Sequence, residues 1–313
     1  MVTQAHLSRA PRGWSINLGL NGVSAAAYGG WEGTLAACEF DANDMAAIAV
    51  SIGIEPTVLL TKKATRANLL SGMRAAAKAL IAGDFFLLTY SGHGGQVPAT
   101  NADEPDGQDE TWCLYNGQFI DDELYVELAR FVAGVRVLVL SDSCHSGSVT
   151  REVEPPAPPP GQRVKLMPDA VARRVYGLHQ AFYDKLQAQA TAAAHKARAG
   201  RVGAGALGIH PAPAPVAAAA RVGAAAKATA LVGEFNPAVV LISGCQDNQT
   251  SIDGQHNGAF TEQLLKVWRR GAFNGDYHAF HARICAALPA TQSPNLFVLG
   301  NAAEFLKQRP FSI

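Results

Sequence analysis

The segment Val135–Ser148, VRVLVLSDSCHSGS, limits the folds open to this chain more than any other stretch. Five of its first six residues are apolar, most of them branched, and the run breaks at once into Ser-Asp-Ser. A run this short and apolar is typical of a strand buried on both faces, as in a parallel sheet. Its carboxyl end carries Asp142, Cys144 and His145, at the edge where open α/β sheets bind ligands. Cys144 is either a nucleophile or a small buried thiol, and this stretch alone leaves both interpretations open.

The same pattern recurs along the chain. Alternating strands and helices indicate an α/β fold whose parallel sheet has helices on both faces. Right-handed crossovers then bring the carboxyl ends of parallel strands to one edge. The other predicted strands are Trp14–Leu20, Pro56–Leu60, Phe85–Tyr90, Pro237–Ser243 and Asn295–Leu299. The predicted helices are Ala36–Ile52, Thr65–Ile81, Asp122–Phe131, Val164–Ala199, Ala259–Arg270 and Tyr277–Leu288.

Charge and cysteine content exclude several classes of protein. The 313 residues include 26 basic and 26 acidic ones without a long basic stripe, so nucleic acid is not expected as a partner. Five widely spaced cysteines without a CxxC pair argue against a disulfide framework or a structural zinc site, and for a reducing compartment. The first 20 residues lack the continuous apolar core of a signal peptide or membrane span. We therefore expect a cytoplasmic protein that does not associate with membranes.

A second candidate for chemistry is Ser91–Gln96, SGHGGQ, which follows the predicted strand Phe85–Tyr90. Glycines on both sides of His93 allow a sharp turn, so we expect its imidazole to project from a loop. A cysteine hydrolase needs a thiolate, a histidine that takes and returns its proton, and donors for the oxyanion. Cys144 would be the nucleophile and His93 the acid/base, with the backbone amides of Gly94 and Cys144 as oxyanion donors.

Two alternatives remain for these residues. His93 could simply hydrogen-bond its own turn. His145 is a competing base, but adjacent side chains on an extended segment point to opposite sides, so it is poorly placed to serve Cys144.

An acidic region follows, from Asn101 to Trp112, with two further aspartates at a predicted helix start, Asp121 and Asp122. Clustered carboxylates could hold a calcium ion, although the spacing is not that of an EF-hand. Acidic loops are usually only solvated, and Asp121 and Asp122 also suit a helix amino terminus.

Beyond Val149 the composition changes. Glu152–Gly161 is rich in Pro, and residues 200–230 are dominated by Ala, Gly, Pro and Val. Such segments do not form a regular core, so we expect an exposed, partly disordered connector. The apolar face of the predicted helix between them consists of Val171, Val175, Leu178, Phe182, Tyr183 and Leu186.

YSGHGGQ at Tyr90–Gln96 and SDSCHSGS at Ser141–Ser148 resemble the His and Cys loops of caspase-like cysteine peptidases. The resemblance is closest to metacaspases and their bacterial relatives, since the Gln-Ala-Cys signature of animal caspases is absent. The separation of 51 residues (144 minus 93) agrees with that family's layout. Further matching segments are Leu35–Asp41, Asp106–Cys113, Phe119–Leu124 and Ser243–Ser251.

This resemblance implies a caspase-like fold with a mainly parallel six-stranded sheet, and an endopeptidase that cuts protein substrates after Arg or Lys. The positions matching the family's acidic primary pocket are Cys38, Asp41, Ser91 and Asp142. Carboxylates there would pair with a basic side chain through charge-assisted hydrogen bonds. Read without the resemblance, Asp41 is a helix-terminal charge and Asp142 a turn former.

The family's calcium ligands match Asp109, Asp121 and Asp122, but the fourth position is Arg151, whose charge would repel the metal. Calcium binding is then lost, weakened or completed by Glu152, and we expect no required cofactor and a weak site at best. Residues 1–151 correspond to the larger, subunit-like half of the family and residues 152–236 to the connector. Residues 237–313 correspond to the smaller half, which completes the same domain.

Basic residues in the connector make self-cleavage there a reasonable hypothesis, and we expect a monomer. The candidate sites include Arg163, Lys165, Arg173, Arg174, Arg198, Arg201, Arg221 and Lys227. Two other functions stay open: a catalytically silent regulatory or binding module, and a different acyl-transfer enzyme on the same nucleophile scaffold.

Overall fold

A computed structural model describes residues 9–99, 108–144, 163–199, 235–245 and 251–313, without the side chains of 193–199. Several predictions concern positions outside these ranges. They are His145, Arg151, the Pro-rich stretch Glu152–Gly161, residues 200–230 and most of the acidic region before residue 108.

Short strands and helices alternate along the described chain. In chain order the strands are β1 Gly13–Gly19, β2 Pro56–Leu60, β3 Phe85–Ser91, β4 Gly94–Pro98, β5 Gln108–Leu114, β6 Gly117–Ile120, β7 Arg136–Asp142, β8 Arg163–Val164, β9 Ala238–Ser243, β10 Ile252–Asp253 and β11 Asn295–Leu299. The helices are α1 Cys38–Ser51, α2 Arg66–Ala79, α3 Asp121–Leu128, α4 Asp169–Ala199, α5 Ala259–Trp268, α6 Tyr277–Ala287 and α7 Ala303–Leu306.

Six strands form the central sheet in the order β11-β9-β7-β3-β1-β2. All neighbours are parallel except β11, which pairs antiparallel with β9. The predicted six-stranded, mainly parallel sheet is therefore confirmed. Its register places Ser91, at the end of β3, directly opposite Asp142 at the end of β7. The strand ends that carry the candidate chemistry thus share one edge, as right-handed crossovers require.

Helices cover both faces of the sheet, because the central strands are apolar on both sides. All seven residues of β3 are buried. One core contains side chains from α2 and α3, and the other contains side chains from α1, α5, α6 and α7. Among the described helices, none combines the length and hydropathy needed to cross a bilayer.

Two regions predicted as loops are strands. Gly94–Pro98 pairs antiparallel with Gln108–Leu114, which in turn pairs with β6. The residues of the acidic region from Gln108 onward therefore belong to a small three-stranded sheet, where Asp109 is fully buried. These strands were missed because they mix glycine and acidic residues, which are depleted in strands generally.

The connector differs most from expectation. Its helix begins at Asp169, later than predicted, and a non-helical residue, His179, interrupts it. The interruption shifts the buried face, so Leu178 and Phe182 are 61% and 46% exposed, contrary to prediction. Val171, Val175, Tyr183 and Leu186 are buried as predicted. The two stretches expected to be exposed, Glu152–Gly161 and residues 200–230, lie outside the described residues. Between them, α4 packs on β4 and α3.

Candidate active site

His93 lies between β3 and β4 and is only 6% exposed, so it does not project freely as predicted. Its Nε2 is 3.0 Å from the carbonyl oxygen of Gly33, and the Trp31 ring packs edge-on at 4.7 Å between centroids. Since a carbonyl can only accept, Nε2 carries the hydrogen and Nδ1 is the basic nitrogen. Within the described chain, Nδ1 makes no hydrogen bond of its own.

Burial lowers the pKa of His93 to about 4, although the nearby carbonyl groups of Gly33 and Leu166 act in the opposite direction. The imidazole is therefore neutral at physiological pH in this state. A neutral imidazole can accept a proton, which a general base must do.

Cys144 follows β7 and is fully buried. Its Sγ is 3.4 Å from the carbonyl oxygen of Ser251, and the Ser251 backbone N–H donates to the same sulfur. No hydrogen bond joins this thiol to the His93 imidazole among the described residues. Both side chains nevertheless occupy the edge of the sheet that the topology predicts.

The backbone amides predicted as oxyanion donors converge on one acceptor. Gly94 N and Cys144 N donate to the carbonyl oxygen of Lys165, at 3.0 and 3.2 Å. Two N–H groups aimed at one carbonyl oxygen are the arrangement that stabilises a tetrahedral oxyanion. The group that they bind belongs to this chain's own connector.

The Lys165 side chain is fully buried among the predicted pocket residues. Its Nζ lies 3.0 Å from Asp41 Oδ2, 3.2 Å from Asp142 Oδ2 and 2.9 Å from Ser91 Oγ. Ser91 Oγ also donates to Asp41 Oδ2 at 2.7 Å. We call Asp41, Ser91, Asp142 and Gly258 the acidic pocket.

The buried charges of Lys165, Asp41 and Asp142 interact, and this interaction affects the pKa of Lys165 and that of Asp41. Burial alone would lower the pKa of Lys165, but the Asp142 and Asp41 carboxylates outweigh it and raise that pKa well above its usual value. Burial raises the pKa of Asp41, although the Lys165 ammonium opposes this. The pocket therefore favours a cation over a neutral side chain.

Cys38, the fourth predicted pocket residue, makes no hydrogen bond to Lys165. Its buried thiol lies 3.9 Å from Asp253 Oδ1, and burial raises its pKa, so it stays protonated. Asp253 also accepts from the backbone N–H groups of Ala36 and Ala37, at 2.7 and 3.0 Å. It thereby connects β10 to the start of α1, which carries Asp41.

The carboxyl-terminal half of the chain supplies donors to the pocket carboxylates. Ser251 Oγ donates to Asp142 Oδ1 at 2.5 Å, and Thr261 donates to Asp142 Oδ2 from its backbone and hydroxyl. Gly258 N and Asn257 Nδ2 each donate to Asp41 Oδ1 at 3.0 Å. Such bonds favour the ionised form of a carboxyl group.

Gly258 forms a wall of the acidic pocket by lacking a side chain. A methyl group on its Cα would overlap Lys165 Nζ and Asp142 Oδ2. The backbone of Gly258, at φ −63° and ψ 151°, is open to any residue. Glycine is thus required here for space and not for conformation.

Arg163–Met167 passes through the site as an extended peptide. On one side, β8 pairs antiparallel with β10, and Lys165 N donates to Ser251 O at 3.0 Å. On the other, Met167 N donates to Gly94 O at 2.8 Å, and Leu166 bridges Gly94 in parallel. Backbone pairing of this kind is how extended peptides are held at sheet edges.

Several of these residues escaped sequence reasoning. Lys165 was one of eight basic candidates, and nothing in its neighbourhood singled it out. Gly33 acts through its carbonyl oxygen, which leaves no side-chain signal. Ser251 lies at the end of Ser243–Ser251, a segment that matches the family. This match was the sequence signal that could have pointed to Ser251 as a donor to Asp142.

The predicted metal ligands do lie together. Asp109, Asp121 and Asp122 place carboxylate oxygens within 4.8 Å of one another, and Asp109 and Asp122 are fully buried. Several hard oxygen donors within this distance fit a calcium ion. The predicted fourth position, Arg151, lies outside the described residues.

Comparisons with known proteins identify the family of this chain. A caspase domain model matches residues 23–310. Metacaspase-1 of Cryptococcus neoformans is 30% identical over 250 residues, which cover 75% of this chain and 51% of that protein. Metacaspase-1 of Schizosaccharomyces pombe is 32% identical over 211 residues, 66% of this chain and 46% of that protein. The chain spans about half the length of these relatives.

A solved structure is similar over nearly its full length. The crystal structure of protein GSU0716 from Geobacter sulfurreducens is 46% identical, with a TM-score of 0.77, and the match covers 97% of this chain and 99% of that one. Since the caspase domain match spans most of the sequence, the chain belongs to the caspase domain family, and within it to the metacaspase-like proteins.

Proposed function

We propose that the protein is a cysteine endopeptidase that cuts peptide bonds after Lys or Arg, with Cys144 as nucleophile and His93 as acid/base. The observation that carries the proposal is the position of Lys165. Its ammonium group lies between Asp41 and Asp142, and its carbonyl oxygen accepts from Gly94 N and Cys144 N. Lys165 therefore lies where a substrate residue immediately before the cut would lie. Its side chain occupies the acidic pocket, and its carbonyl oxygen is bound by the two oxyanion donors.

The chemistry follows from these positions. The Cys144 thiol loses its proton to His93 Nδ1, and the thiolate attacks the carbonyl carbon, whose oxygen is held by the two backbone amides. The tetrahedral intermediate collapses to a thioester as the C–N bond breaks, and His93 gives the proton to the leaving amine. Water then attacks the thioester, His93 takes its proton, and the free thiol and a new carboxylate result.

We also propose self-cleavage of the Lys165–Leu166 bond. Leu166 would provide the leaving amine, and its backbone lies close enough to His93 to affect the pKa of the imidazole. Among the described basic residues of the connector, Lys165 is fully buried in the acidic pocket, whereas Arg163 and Arg173 are exposed.

Arg is proposed as a second accepted residue because its guanidinium can pair with two carboxylates. The test is hydrolysis of fluorogenic peptides ending in Lys, Arg or Asp by wild type, Cys144→Ala and His93→Ala. We expect activity on Lys and Arg peptides by wild type alone. Cleavage after Asp and not after Lys or Arg would overturn the pocket assignment.

A silent regulatory module would give no hydrolysis of any peptide and no self-cleavage. Mass spectrometry of purified wild type beside Cys144→Ala separates the two functions. We expect fragments that end at Lys165 and begin at Leu166 from wild type only, and identical intact chains would favour the module.

We propose that calcium is not required and binds weakly at Asp109, Asp121 and Asp122. The close approach of the three carboxylates supports a site, while the basic side chain at the family's fourth position opposes it. A bound ion there would supply charge that holds the three carboxylates together.

A further inference from the structure

The peptide in the site continues past Lys165, and the side chain two positions after the proposed cut has a pocket of its own. Met167 is 1% exposed, whereas Leu166, immediately after the cut, is half-buried. Met167 belongs to an apolar cluster with Val23, Tyr28 and Val97. A thioether side chain of this size gains most of its stabilisation from such burial.

The backbone around Met167 is fixed by the residues that hold the reacting carbonyl. Gly94 N donates to Lys165 O, and Gly94 O accepts from Met167 N at 2.8 Å. A peptide whose carbonyl lies on the oxyanion donors is therefore guided along Gly94 as a parallel strand. Its second residue after the cut then reaches the position of Met167.

Gly95 provides the room for this side chain. A methyl group on its Cα would lie 2.7 Å from Met167 Cε, and it would also crowd Gln118 Oε1 and Thr111 Oγ1. The Met167 side chain thus fits because Gly95 has no side chain, just as Gly258 leaves space for Lys165 in the acidic pocket. In the apolar cluster around Met167, Val23, Tyr28, Val97 and Ile120 belong to the body of the protein. The helix α4 adds Val171, Val175, Tyr183 and Leu186.

We propose that these residues form a substrate subsite that selects a large, unbranched or γ-branched apolar side chain at the second position after the cut. This subsite rests on the proposed function, since it assumes that Lys165 marks the residue before the cut. Met167 is its resident occupant in the uncut chain. The protein would therefore recognise a basic residue and, two positions later, an apolar one.

The test uses the full-length wild type, incubated until self-cleavage is complete, and internally quenched peptides containing Arg-Val-Lys-Leu-Xaa. Xaa is Met, Leu, Ala or Asp, and the reference is the Arg-Val-Lys fluorogenic amide, which lacks the tested position. We expect kcat/KM to be about tenfold higher for Met or Leu than for Ala, and lower again for Asp. Equal kcat/KM for the Met and Asp peptides would overturn the subsite, and so would a failure to cleave either peptide.

The reference amide distinguishes this failure from a failure of the proposed function. If the amide is cleaved and the Xaa series shows no preference, only the subsite is wrong. If the amide is not cleaved, the proposed function fails and the subsite fails with it.

Two variants test the pocket directly. The first is Gly95→Ala, whose added methyl group should reduce the preference for Met. The kcat/KM of the Met peptide divided by that of the Ala peptide should be lower than in wild type, and an unchanged ratio in the folded variant would contradict the pocket. Should Gly95→Ala not fold, self-cleavage of Met167→Asp and Met167→Leu decides. We expect the Asp variant to cut the Lys165–Leu166 bond at least tenfold more slowly than the Leu variant, and equal rates would refute the proposal.

Discussion

The two halves of the peptide in the active site are held by different forces. Before the proposed cut, Arg163–Lys165 depends on a two-strand pairing with β10 and on one ammonium group between two carboxylates. After it, Met167 depends on apolar burial and on its backbone hydrogen bond to Gly94 O, and the chain leads into α4. That helix has anchors of its own, since Gln118 N donates to Tyr183 Oη and Gln187 Nε2 donates to Pro98 O.

This difference has a consequence for processing. A cut at Lys165 would leave the first half held by its short pairing with β10 and by one ammonium group between Asp41 and Asp142. In the second half α4 would keep its anchors, while the new amino end at Leu166 would be free to move. We therefore expect the first half to leave readily, α4 to stay attached, and Leu166–Met167 to withdraw, which opens the subsite to a substrate.

The largest expected effect comes from Cys144→Ala. Without the thiol no thioester forms, and self-cleavage should fall by about 10⁴-fold or more, as for other nucleophile deletions. Intact mass against time measures it. A Cys285→Ala control should process normally, because Cys285 lies on α6 and not at the strand ends that carry the site. Processing of Cys144→Ala would show that another residue attacks.

Lys165→Met tests the charge-dependent half. On the Cys144→Ala background, the two buried carboxylates lose their cation, and the free energy of unfolding should fall by about 3 kcal/mol. Urea denaturation measures this fall, with the exposed Lys185→Met as a control that should change little. An unchanged stability would mean that the ammonium adds nothing net.

Gly258→Ala tests the wall of the acidic pocket. The added methyl group would occupy the place of the basic side chain, so kcat/KM on Lys and Arg peptides should fall about 100-fold. Gly177, which has nothing within 4 Å of its missing Cβ, offers the control Gly177→Ala. Wild-type activity in Gly258→Ala would place the basic side chain elsewhere.

The low pKa of His93 predicts a pH dependence of the closed state. Because its pKa is lowered to about 4 from the usual 6.5, its burial costs stability as pH falls through 6.5, and the cost is complete below about 4. On the Cys144→Ala background, stability at pH 5 relative to pH 7 should drop by about 2 kcal/mol more than in a His93→Gln variant. Parallel curves for the two proteins would contradict a buried neutral His93.

Calcium is expected to have the smallest effect. If Arg151 opposes the metal, calorimetry should give a dissociation constant weaker than about 1 mM and unaltered peptidase rates without calcium. An Arg151→Asp variant should bind more tightly. Micromolar binding by wild type would show that the three aspartates suffice.

The central sheet could be predicted from the sequence because continuous apolar runs indicate buried strands directly. The strand Pro56–Leu60 has its predicted bounds, and the carboxyl ends of β3 and β7 meet as the topology requires. Asp41, Ser91 and Asp142 come together around one cation, where the resemblance had placed a basic side chain. The roles of these residues in catalysis stay predictions until the variants are measured.

The sequence could not reveal how the connector lies across the site. Lys165 is surrounded by ordinary residues, and its burial depends on contacts with α1, β3 and β7, which are distant along the chain. The small sheet β4-β5-β6 was also missed, because Gly-rich and acidic strands lack an apolar period. Leu178 and Phe182 followed a regular helical period that the interruption at His179 breaks.

Several donors that hold Asp41 and Asp142 come from residues 251–261, which are synthesised long after the nucleophile. A ribosome that has made β1 through β9 has already produced the thiol, the imidazole and both carboxylates. Asp253, which connects β10 to the start of α1, has not yet been made. Cutting should therefore begin only after the last part of the domain has emerged and folded, so that a nascent chain does not digest itself or its neighbours.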